Sequence, residues 1–528
     1  MLFPGHPIFH GTFSFIYSVF IDQTRNCCKS CGSRRSLYVK RHSMTKRNSF
    51  IFTSSPIAWT LWLILLLVSC RDEEIVPAVS PEADSPKAVT SEANQYVNSW
   101  ITENMQYWYL WNNELPEKTD MNLDPESYFR SLLNEDDRFS WIQNNYSELL
   151  NSLQGISREA GYEFALYRER EGSDHVVLQI LYTKPDSPAE EAGLKRGDLV
   201  SHINGQQLTT GNYKTLLDAI KDPHTLLYKS AIPQEEKFGS SHNVSVSTVE
   251  YTENPNYLHK VIEVDGKKIG YFVYNFFASG TDGQPGRYDA ETDAIFADFK
   301  AQGITDLVID LRFNSGGSES AARNLASLIG RGVNENNIFL KRQYNNLVQD
   351  AILHDESLGS DYLISHYQRE VNNVGDQLSG GRVYILTSSR TASASELIIN
   401  ALRPFMEVFL IGDTTYGKNV GSITLFEEND PKNTWGMQPI VVKVYNSEGE
   451  SDYSTGFAPD VMHPDNNLFL YPLGDPSEPL LGLAIGQITG AATNARQEYS
   501  KRSALEHSLD LKRRSFNLVM DESLPGNP

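Results

Sequence analysis

Cysteine is scarce in this chain of 528 residues: Cys27, Cys28, Cys31 and Cys70 are the four that occur. The segment Cys28-Lys-Ser-Cys31 has the spacing of half a zinc site, but no second CxxC and no pair of histidines follows to complete it. We therefore predict no metal site. Because Cys70 is the last cysteine, no disulfide can form within the chain beyond it.

The motifs of several common enzyme classes are also missing. The chain has no GxSxG, no HExxH, no phosphate loop and no internal repeat. Basic residues are few, since 46 Lys and Arg stand against 67 Asp and Glu and give a formal net charge of −21. The cluster Lys512-Arg-Arg514 is too short to form a basic patch. This balance argues against nucleic acid and anionic lipid as partners, and no organic cofactor is implied.

Long hydrophobic runs are absent as well. The apolar stretch 57–68 is too short to span a bilayer comfortably. It follows the basic segment Met44-Thr-Lys-Arg47 and ends at Leu67-Val-Ser-Cys70, which is similar to a lipobox. Residues 44–69 thus resemble a bacterial lipoprotein signal peptide, cut before Cys70, whose thiol then carries the lipid. An ordinary transmembrane anchor is the alternative.

The resemblance to a lipoprotein leader implies a location in the bacterial cell envelope. The protein would be lipid-anchored, on the periplasmic face or on the outer surface of the outer membrane. We then expect Met44 to be the true start and residues 1–43 to be an over-extended upstream reading. The cluster Arg71-Asp-Glu-Glu74 resembles the acidic export tags of surface lipoproteins in Bacteroidetes, although a solvated tether explains it equally well.

Two segments follow the leader. Residues 70–90 carry Pro77, Pro81 and Pro86 among Ser, Glu and Ala, which predicts a flexible linker. Residues 91–155 predict a small helical domain, in which Asp124-Pro125 opens a second helix. Apolar and aromatic residues hold helical spacing in its first part: Val97, Trp100, Ile101, Met105, Trp108 and Trp111. We interpret them as core residues rather than as a ligand box.

Residues 156–255 have a sequence pattern typical of β-strands, and they resemble a PDZ domain. The resemblance lies in the stretch 187–205, SPAEEAGLKRGDLVSHING, which reads as a short helix, a turn, a strand and a hairpin turn at Asn204-Gly205. PDZ domains bind an extended peptide as an added strand and hold its terminal carboxylate on loop amides. The candidate cradle, meaning the loop that would hold this carboxylate, consists of Gly161, Tyr162, Glu163 and Phe164. The alternative is that Gly161 serves only a turn.

Residues 256–480 alternate strands and helices and predict an α/β core. The expected elements are strands at 269–276, 307–312, 383–387 and 408–412, helices at 289–302 and 318–330, and one long strand at 435–446. We expect Asp310 and Arg312, at the end of an apolar strand, to form a structural ion pair more readily than to do chemistry. Residues 481–528 predict a closing helix followed by a polar tail.

The stretch 383–426 holds the candidate chemistry. Ser393 lies at a strand-to-helix elbow, where free backbone amides favour developing negative charge. Lys418 follows the next strand, on a path that can return it to the mouth of the same helix. This is the arrangement that a Ser–Lys hydrolase needs. The alternative is that Ser393-Ala-Ser-Glu396 is only a helix capping box.

Four motifs together resemble peptidase family S41, the carboxyl-terminal processing proteases. They are the TASASE around Ser393, the YGKN around Lys418, the DLRFNSGG that ends at Gly317, and the GFAPD of 456–460. The resemblance implies that Ser393 is the nucleophile and Lys418 the general base. It also implies that the amides of Ala394, Gly316 and Gly317 bind the oxyanion.

The family fold implied is a multidomain α+β chain: an N-terminal helical domain, a PDZ domain and a catalytic core of the α/β type related to ClpP and crotonase. Protein or peptide substrates are implied, recognised near their C-terminus by the PDZ domain. Many members orient the lysine with a glutamine or an aspartate, but Ser422 and Pro404 stand at those positions here. Ser422 is therefore the candidate orienting residue. This departure leaves two other classes open, a non-catalytic binding protein on the same fold and a PDZ-led scaffold.

Overall fold

The computed structural model describes residues 86–491, 502–512 and 518–520. The predicted signal peptide at 44–69, Cys70 and the cysteine cluster 27–31 lie outside the described residues, as does the linker up to residue 85. Within the described ranges, none of the helices combines the length and the apolarity that a membrane span requires. The described residues form an N-terminal helical region, the domain predicted to be of the PDZ type and an α/β core.

The N-terminal region is mainly helical. Its elements are α1 (Pro86–Trp108), a 3-10 turn (Asn112–Glu114), α2 (Pro125–Ser131), β1 (Trp141–Gln143) and α3 (Tyr146–Leu153). Asp124 caps α2 by accepting a hydrogen bond from the Ser127 amide, as its sequence position predicts. The predicted linker is wrong at its end, because α1 already begins at Pro86; proline suits the first turn, where its missing N–H would have no acceptor.

The apolar stripe of α1 is core, as interpreted from its spacing. Ile101 and Met105 are fully buried, and they pack with Tyr128 and Phe129 of α2. Trp108 instead joins the large cluster of the α/β core. Strand β1 pairs with a strand of the core as well, so this region is built onto the core on two sides.

The PDZ domain is an antiparallel sheet with two short helices. Its elements are β2 (Ile156–Glu159), β3 (Tyr162–Arg168), β4 (Val176–Thr183), α4 (Pro188–Glu191), β5 (Leu199–Ile203), β6 (Gln206–Gln207), α5 (Tyr213–Ala219), β7 (His224–Ile232), a 3-10 turn (Pro233–Glu235), β8 (Lys237–Val246) and β9 (Val249–Thr252). The main sheet has the strand order β3-β4-β5-β7-β8 with β6 paired to β5, whereas β2 and β9 form a separate two-stranded sheet. Asn204 and Gly205 both have positive φ, at 50° and 73°, which confirms the predicted hairpin turn.

The core contains two six-stranded sheets. Its elements are β10 (Asn256–Val264), β11 (Lys267–Tyr274), α6 (Arg287–Gln302), β12 (Asp306–Asp310), β13 (Gly317–Ser318), α7 (Glu319–Ile329), β14 (Ile338–Tyr344), α8 (Asn346–His354), β15 (Ile364–His366), β16 (Arg382–Thr387), α9 (Ala394–Leu402), β17 (Glu407–Gly412), β18 (Val420–Ser422), β19 (Leu425–Phe426), β20 (Gly436–Gln438), β21 (Ile440–Tyr445), β22 (Val461–Met462) and α10 (Pro479–Thr489), with short 3-10 turns at Gly359–Leu363, Gly375–Gln377 and Ser379–Gly381.

The first core sheet has the order β10-β11-β12-β16-β17-β22, and its strands from β11 to β22 are parallel. Alternate residues of β16 face opposite sides. Ile385 packs into the cluster with α6, α7 and α9, and Leu386 packs into the cluster with α10. Burial on both faces explains why these strands read as continuous apolar runs.

The long strand predicted at 435–446 is wrong, because it divides at Pro439 into β20 and β21. These two strands belong to different sheets. Proline cannot donate to a ladder, and the next amide, that of Ile440, donates instead to Ser140 Oγ at 2.8 Å. Strand β20 pairs with β1 and β19, whereas β21 joins the second core sheet beside β18 and β14.

The described parts of the C-terminal segment are not a free polar tail, and this prediction is wrong for them. They form β23 (Glu506–His507), α11 (Ser508–Leu511) and β24 (Leu518–Val519). Strand β23 pairs with β3 of the PDZ domain, and β24 lies between β13 and β18 in the second core sheet. Backbone hydrogen bonds to a sheet edge need no apolar pattern, so hydrophobicity alone does not reveal them.

The ion pair predicted between Asp310 and Arg312 is structural. Their side chains are fully buried, with Arg312 Nη2 at 2.8 Å from Asp310 Oδ2. Arg312 also contacts Glu478 at 2.7 Å and Asp465 at 3.1 Å. Arg196 of the PDZ domain contacts the same Asp465 carboxylate at 2.9 Å, so the network joins the PDZ domain to the core.

Candidate active site

Ser393 lies at a sharp elbow between β16 and α9. Its φ of 62° and ψ of −114° place a non-glycine residue in a region that L side chains rarely adopt. Such strain persists only where the surroundings impose it, and a serine presented in this way is typical of a nucleophile elbow. Ser393 and Glu396 stand in the arrangement of the capping box that the sequence offered as the alternative, but the buried Ser393 hydroxyl makes no hydrogen bond among the described residues.

Glu396 holds this elbow to the loop that carries Lys418. One carboxylate oxygen, Oε2, accepts hydrogen bonds from the Ser393 amide at 2.9 Å and the Lys418 amide at 2.8 Å. The other, Oε1, accepts from Thr415 Oγ1 at 2.6 Å and from the Gly417 amide at 2.7 Å. Burial raises the pKa of Glu396, while these donors favour its carboxylate form. The capping-box alternative recognised this glutamate, but not its link to Lys418.

Lys418 is fully buried, and its ammonium is destabilised there. Burial lowers the pKa of Lys418 to about 7, although Asp137 and Glu396 favour the charged form. Its Nζ lies 5.0 Å from the ring centroid of Phe139. An amine with a pKa near neutrality is able to accept a proton under ordinary conditions.

The wall over Lys418 comes from the N-terminal region. Arg138 donates hydrogen bonds to the carbonyls of Gly417, at 2.9 Å, and Ser454, at 3.1 Å. The Phe139 ring also packs against Tyr416 with 6.0 Å between centroids. The sequence carried no signal for these contacts, because Asp137, Arg138 and Phe139 are remote from Lys418 along the chain.

The glycine turn after β12 lies against the elbow. The Asn314 carbonyl accepts hydrogen bonds from the Ala392 amide at 3.3 Å and from Ser395 Oγ at 3.1 Å. A Cβ on Gly317, whose φ is 139°, would come within 2.1 Å of the Phe277 carbonyl oxygen, so only glycine fits. The Gly316 amide donates to Asn314 Oδ1 at 2.9 Å. This bond occupies the Gly316 amide, contrary to the expectation that this amide binds the oxyanion.

Ser422, the candidate orienting residue, is buried on β18. Its hydroxyl donates to Gln438 Oε1 at 2.7 Å. Gln438 is itself fully buried and comes from β20, a strand of another sheet. Gln438 therefore contacts β18, the strand that follows Lys418, from another sheet. The spacing of residues along the chain does not indicate this contact.

The candidate PDZ cradle has mixed roles. Gly161 has a φ of 86°, and a Cβ there would lie 2.2 Å from Ser187 Cβ, so this glycine is required by a turn and a close approach. The Tyr162 hydroxyl is 2.9 Å from His224 Nε2. The Phe164 amide points away from β4, towards the edge of β3 that pairs with β23, and it donates to Ser508 Oγ at 2.9 Å. Of the four residues, Phe164 thus has the amide placed for an added strand.

No metal ligands converge in the part of the chain that the structure describes. Groups of three or more His, Cys, Asp or Glu that could hold a metal ion are absent from it.

Three family models match the chain in order. Residues 96–141 match the peptidase S41 N-terminal domain, residues 179–228 match a PDZ domain and residues 268–463 match peptidase family S41. The third match contains the elbow, the Lys418 loop and the glycine turn. Together they account for the three parts of the described fold.

Known proteins with similar sequences and structures include carboxyl-terminal processing proteases. The chloroplastic C-terminal processing peptidase of Tetradesmus obliquus is 24% identical over 400 residues, covering 71% of this chain and 78% of that protein. The carboxyl-terminal-processing protease of a Picosynechococcus species is 26% identical over 427 residues, covering 77% and 88%. A solved structure from Bacteroides fragilis assigned to the S41 proteases superposes with a TM-score of 0.62 at 27% identity, covering 74% of this chain and 97% of that one.

Proposed function

The chain belongs to peptidase family S41, a family of serine proteases, and from this premise we propose that it is an endopeptidase that uses a Ser393–Lys418 dyad. The observation that carries the proposal is the state of Lys418. This lysine is fully buried with a pKa lowered to about 7, and one carboxylate, that of Glu396, ties its backbone amide to that of Ser393. A surface lysine would stay protonated and could not act as a base.

The proposed reaction proceeds through an acyl-enzyme. The neutral Lys418 amine takes the proton of the Ser393 hydroxyl as its oxygen attacks the scissile carbonyl carbon. The amides of Ala394 and Gly317 stabilise the negative oxygen of the tetrahedral intermediate. When the intermediate collapses, the C–N bond breaks, and the Lys418 ammonium gives its proton to the leaving amine. A water molecule, deprotonated by Lys418, then attacks the ester carbonyl carbon. The C–O bond to Ser393 breaks, the Lys418 ammonium returns its proton to the serine oxygen, and the second product leaves as a carboxylic acid.

Substrate recognition is proposed to begin at the PDZ domain. Strand β3 has an edge away from β4, on which the Phe164 amide donates to Ser508 Oγ, and such an edge suits a peptide that adds as a strand. We infer that protein or peptide substrates are held there near their C-terminus. The lipobox-like Leu67-Val-Ser-Cys70 supports a further proposal, namely that lipid on Cys70 anchors the protein in the bacterial cell envelope.

A serine-directed phosphonate probe, followed by mass spectrometry, tests the proposed nucleophile. We expect labelling at Ser393, and we expect Ser393→Ala and Lys418→Ala each to lower peptide hydrolysis by several orders of magnitude. The double variant should lose little more than either single one, because both residues act in one step. Ser389→Ala is the matched control, since this serine is exposed on the same loop.

Two outcomes would reject the proposed activity. A Ser393→Ala protein that hydrolyses peptides at the parent rate would leave this serine a structural role at the helix start. A parent protein that neither reacts with the probe nor hydrolyses any peptide in a library would favour a binding protein on the same fold.

A further inference from the structure

The edge of the PDZ domain that would accept a peptide is already paired. Strand β3 has β4 on one side, and on the other side it pairs with β23 of the C-terminal segment. Glu506 lies opposite Leu166 and His507 opposite Ala165 in an antiparallel register. The Leu505 amide donates to the Leu166 carbonyl at 2.7 Å. This is strand addition of the kind by which PDZ domains bind their ligands, made here by the same chain.

The added strand runs towards the candidate cradle and ends on it. Ser508 Oγ accepts the hydrogen bond of the Phe164 amide at 2.9 Å and donates to Glu163 Oε2 at 2.5 Å. A hydroxyl oxygen thus occupies the place where a terminal carboxylate oxygen of a ligand would be received. Lys512 then forms ion pairs with the carboxylates of Glu163 and Glu253, both of which are buried.

Side chains fasten the same segment between the PDZ domain and the nucleophile elbow. Leu509 is 3% exposed and packs in a cluster with Tyr167, Tyr182 and Phe313. Asp510 makes a bidentate ion pair with Arg390, at 2.9 and 2.8 Å. Arg390 belongs to the loop that leads into Ser393. The neighbouring Leu511, by contrast, is 52% exposed.

The segment 518–520 lies between β13 and β18, the place that we call the catalytic groove. Strand β24 runs parallel to β13, with Leu518 opposite Gly317, and parallel to β18, with Val519 opposite Ser422. The Met520 amide donates to the Ser422 carbonyl at 3.0 Å. One neighbour of β24 is therefore the glycine turn of the proposed oxyanion hole, and the other is the strand that follows Lys418.

We propose that the C-terminal segments 502–512 and 518–520 are an intramolecular peptide ligand, which occupies the PDZ edge and the catalytic groove until an external polypeptide displaces it. The inference deepens the proposed function, on which it rests, by naming a regulator of the same site. Both segments form backbone ladders on the edges where an extended substrate would bind. A substrate must therefore compete with a tethered strand whose effective concentration is high.

The test compares two leucines of one segment in the full chain. Leu509→Glu buries a carboxylate among aromatic rings and should release the segment, whereas Leu511→Glu adds the same charge at an exposed position. Both are made in a Ser393→Ala background, and fluorescence anisotropy measures binding of a labelled synthetic peptide with the sequence of residues 502–512. We expect Leu509→Glu to bind it roughly tenfold more tightly than the Ser393→Ala parent, since competition from the tethered strand is removed. Leu511→Glu should bind like the parent.

Equal affinity of the parent and Leu509→Glu, or the same gain in Leu511→Glu, would overturn the proposal. If thermal melting shows that Leu509→Glu is unfolded, the double change Ser508→Ala with Asp510→Ala replaces it, because it removes polar contacts without burying a charge. It should raise the affinity roughly threefold, and no gain with it would equally reject the proposal. Peptide binding needs no catalysis, so its result stands even if the Ser393 probe experiment fails. In proteins that keep Ser393, kcat/KM for an external peptide should rise in Leu509→Glu and should stay at the parent value in Leu511→Glu.

Discussion

At the scale of the residue, the environment of Lys418 predicts how activity depends on pH. Burial lowers the pKa of Lys418 to about 7, and only the neutral amine can accept the serine proton. Below that pKa the fraction of neutral amine falls about tenfold for each pH unit, and above it the rate should level off. Measuring kcat/KM from about pH 5 to about pH 9 checks this profile. A flat profile across neutrality would exclude Lys418 as the base.

Lys418→Arg complements the pH profile. A guanidinium stays protonated throughout this range, so turnover should fall by several orders of magnitude without recovery at higher pH. Lys432→Arg is the control, because Lys432 is exposed. Recovery of Lys418→Arg activity at alkaline pH would point to a different base.

Ser422 allows a second prediction at this scale. Its hydroxyl, on the strand β18 that follows Lys418, donates to Gln438, and we propose that this pair orients the lysine loop. We expect Ser422→Ala to lower kcat roughly 10- to 100-fold, which is about 1.4 to 2.7 kcal/mol of barrier, with little change in KM. Ser389→Ala again serves as the control. An unchanged kcat would reduce the Ser422–Gln438 bond to a packing role.

Among the residues of the site, those that carry local motifs could be recognised from the sequence. Ser393 and Lys418 belong to such motifs, and both lie within residues 268–463, which match peptidase family S41. The sequence indicated Glu396 only as part of a helix capping box. Its hydrogen bonds to the amides of Gly417 and Lys418 depend on how a later loop folds. Asp137, Phe139 and Gln438 come from other elements altogether, and nothing in their local sequence indicates the contact.

At the scale of the element, strand β3 predicts how substrates are distinguished. A ligand that adds to this edge places its terminal carboxylate near the Phe164 amide. We expect C-terminal amidation of a good peptide to weaken its binding about tenfold, the effect of one charge-assisted interaction of about 1.4 kcal/mol. Competition anisotropy with the Ser393→Ala protein measures both forms.

Acetylation of the N-terminus of the same peptide is the control, since it removes the other terminal charge and should leave the affinity unchanged. If the free acid and the amide bind equally, the domain does not recognise chain termini. Cleavage at internal peptide bonds of a substrate would still be compatible with that result.

Element boundaries also show where local rules fail. Proline at position 86 begins a helix, whereas in the sequence it looked like part of a linker. Pro439 divides one apolar stretch into strands of two different sheets. Both residues have the fixed φ and the missing N–H of proline, which suit a linker, the first turn of a helix or the end of a strand. Local sequence does not decide among these three positions.

At the scale of the whole molecule, the leader predicts membrane attachment. If lipid on Cys70 anchors the protein, Cys70→Ser should block processing and move the protein out of the membrane fraction or leave it as an unprocessed precursor. Cell fractionation and the mass of the N-terminal peptide measure this. Ser69→Ala, next to the same cleavage site, keeps the thiol and should remain lipidated. Identical fractionation and processing of Cys70→Ser and the parent would exclude the lipoprotein interpretation.

The sequence by itself determined the order of the parts and the identity of the dyad candidates. Helical spacing, the strand-helix alternation and the turn at Asn204-Gly205 are set by interactions among near neighbours, so they can be read along the chain. The tertiary structure alone decided what surrounds Lys418 and where the C-terminal segments lie. These depend on contacts between residues hundreds of positions apart, where desolvation and backbone pairing act through space and leave no pattern in the local sequence.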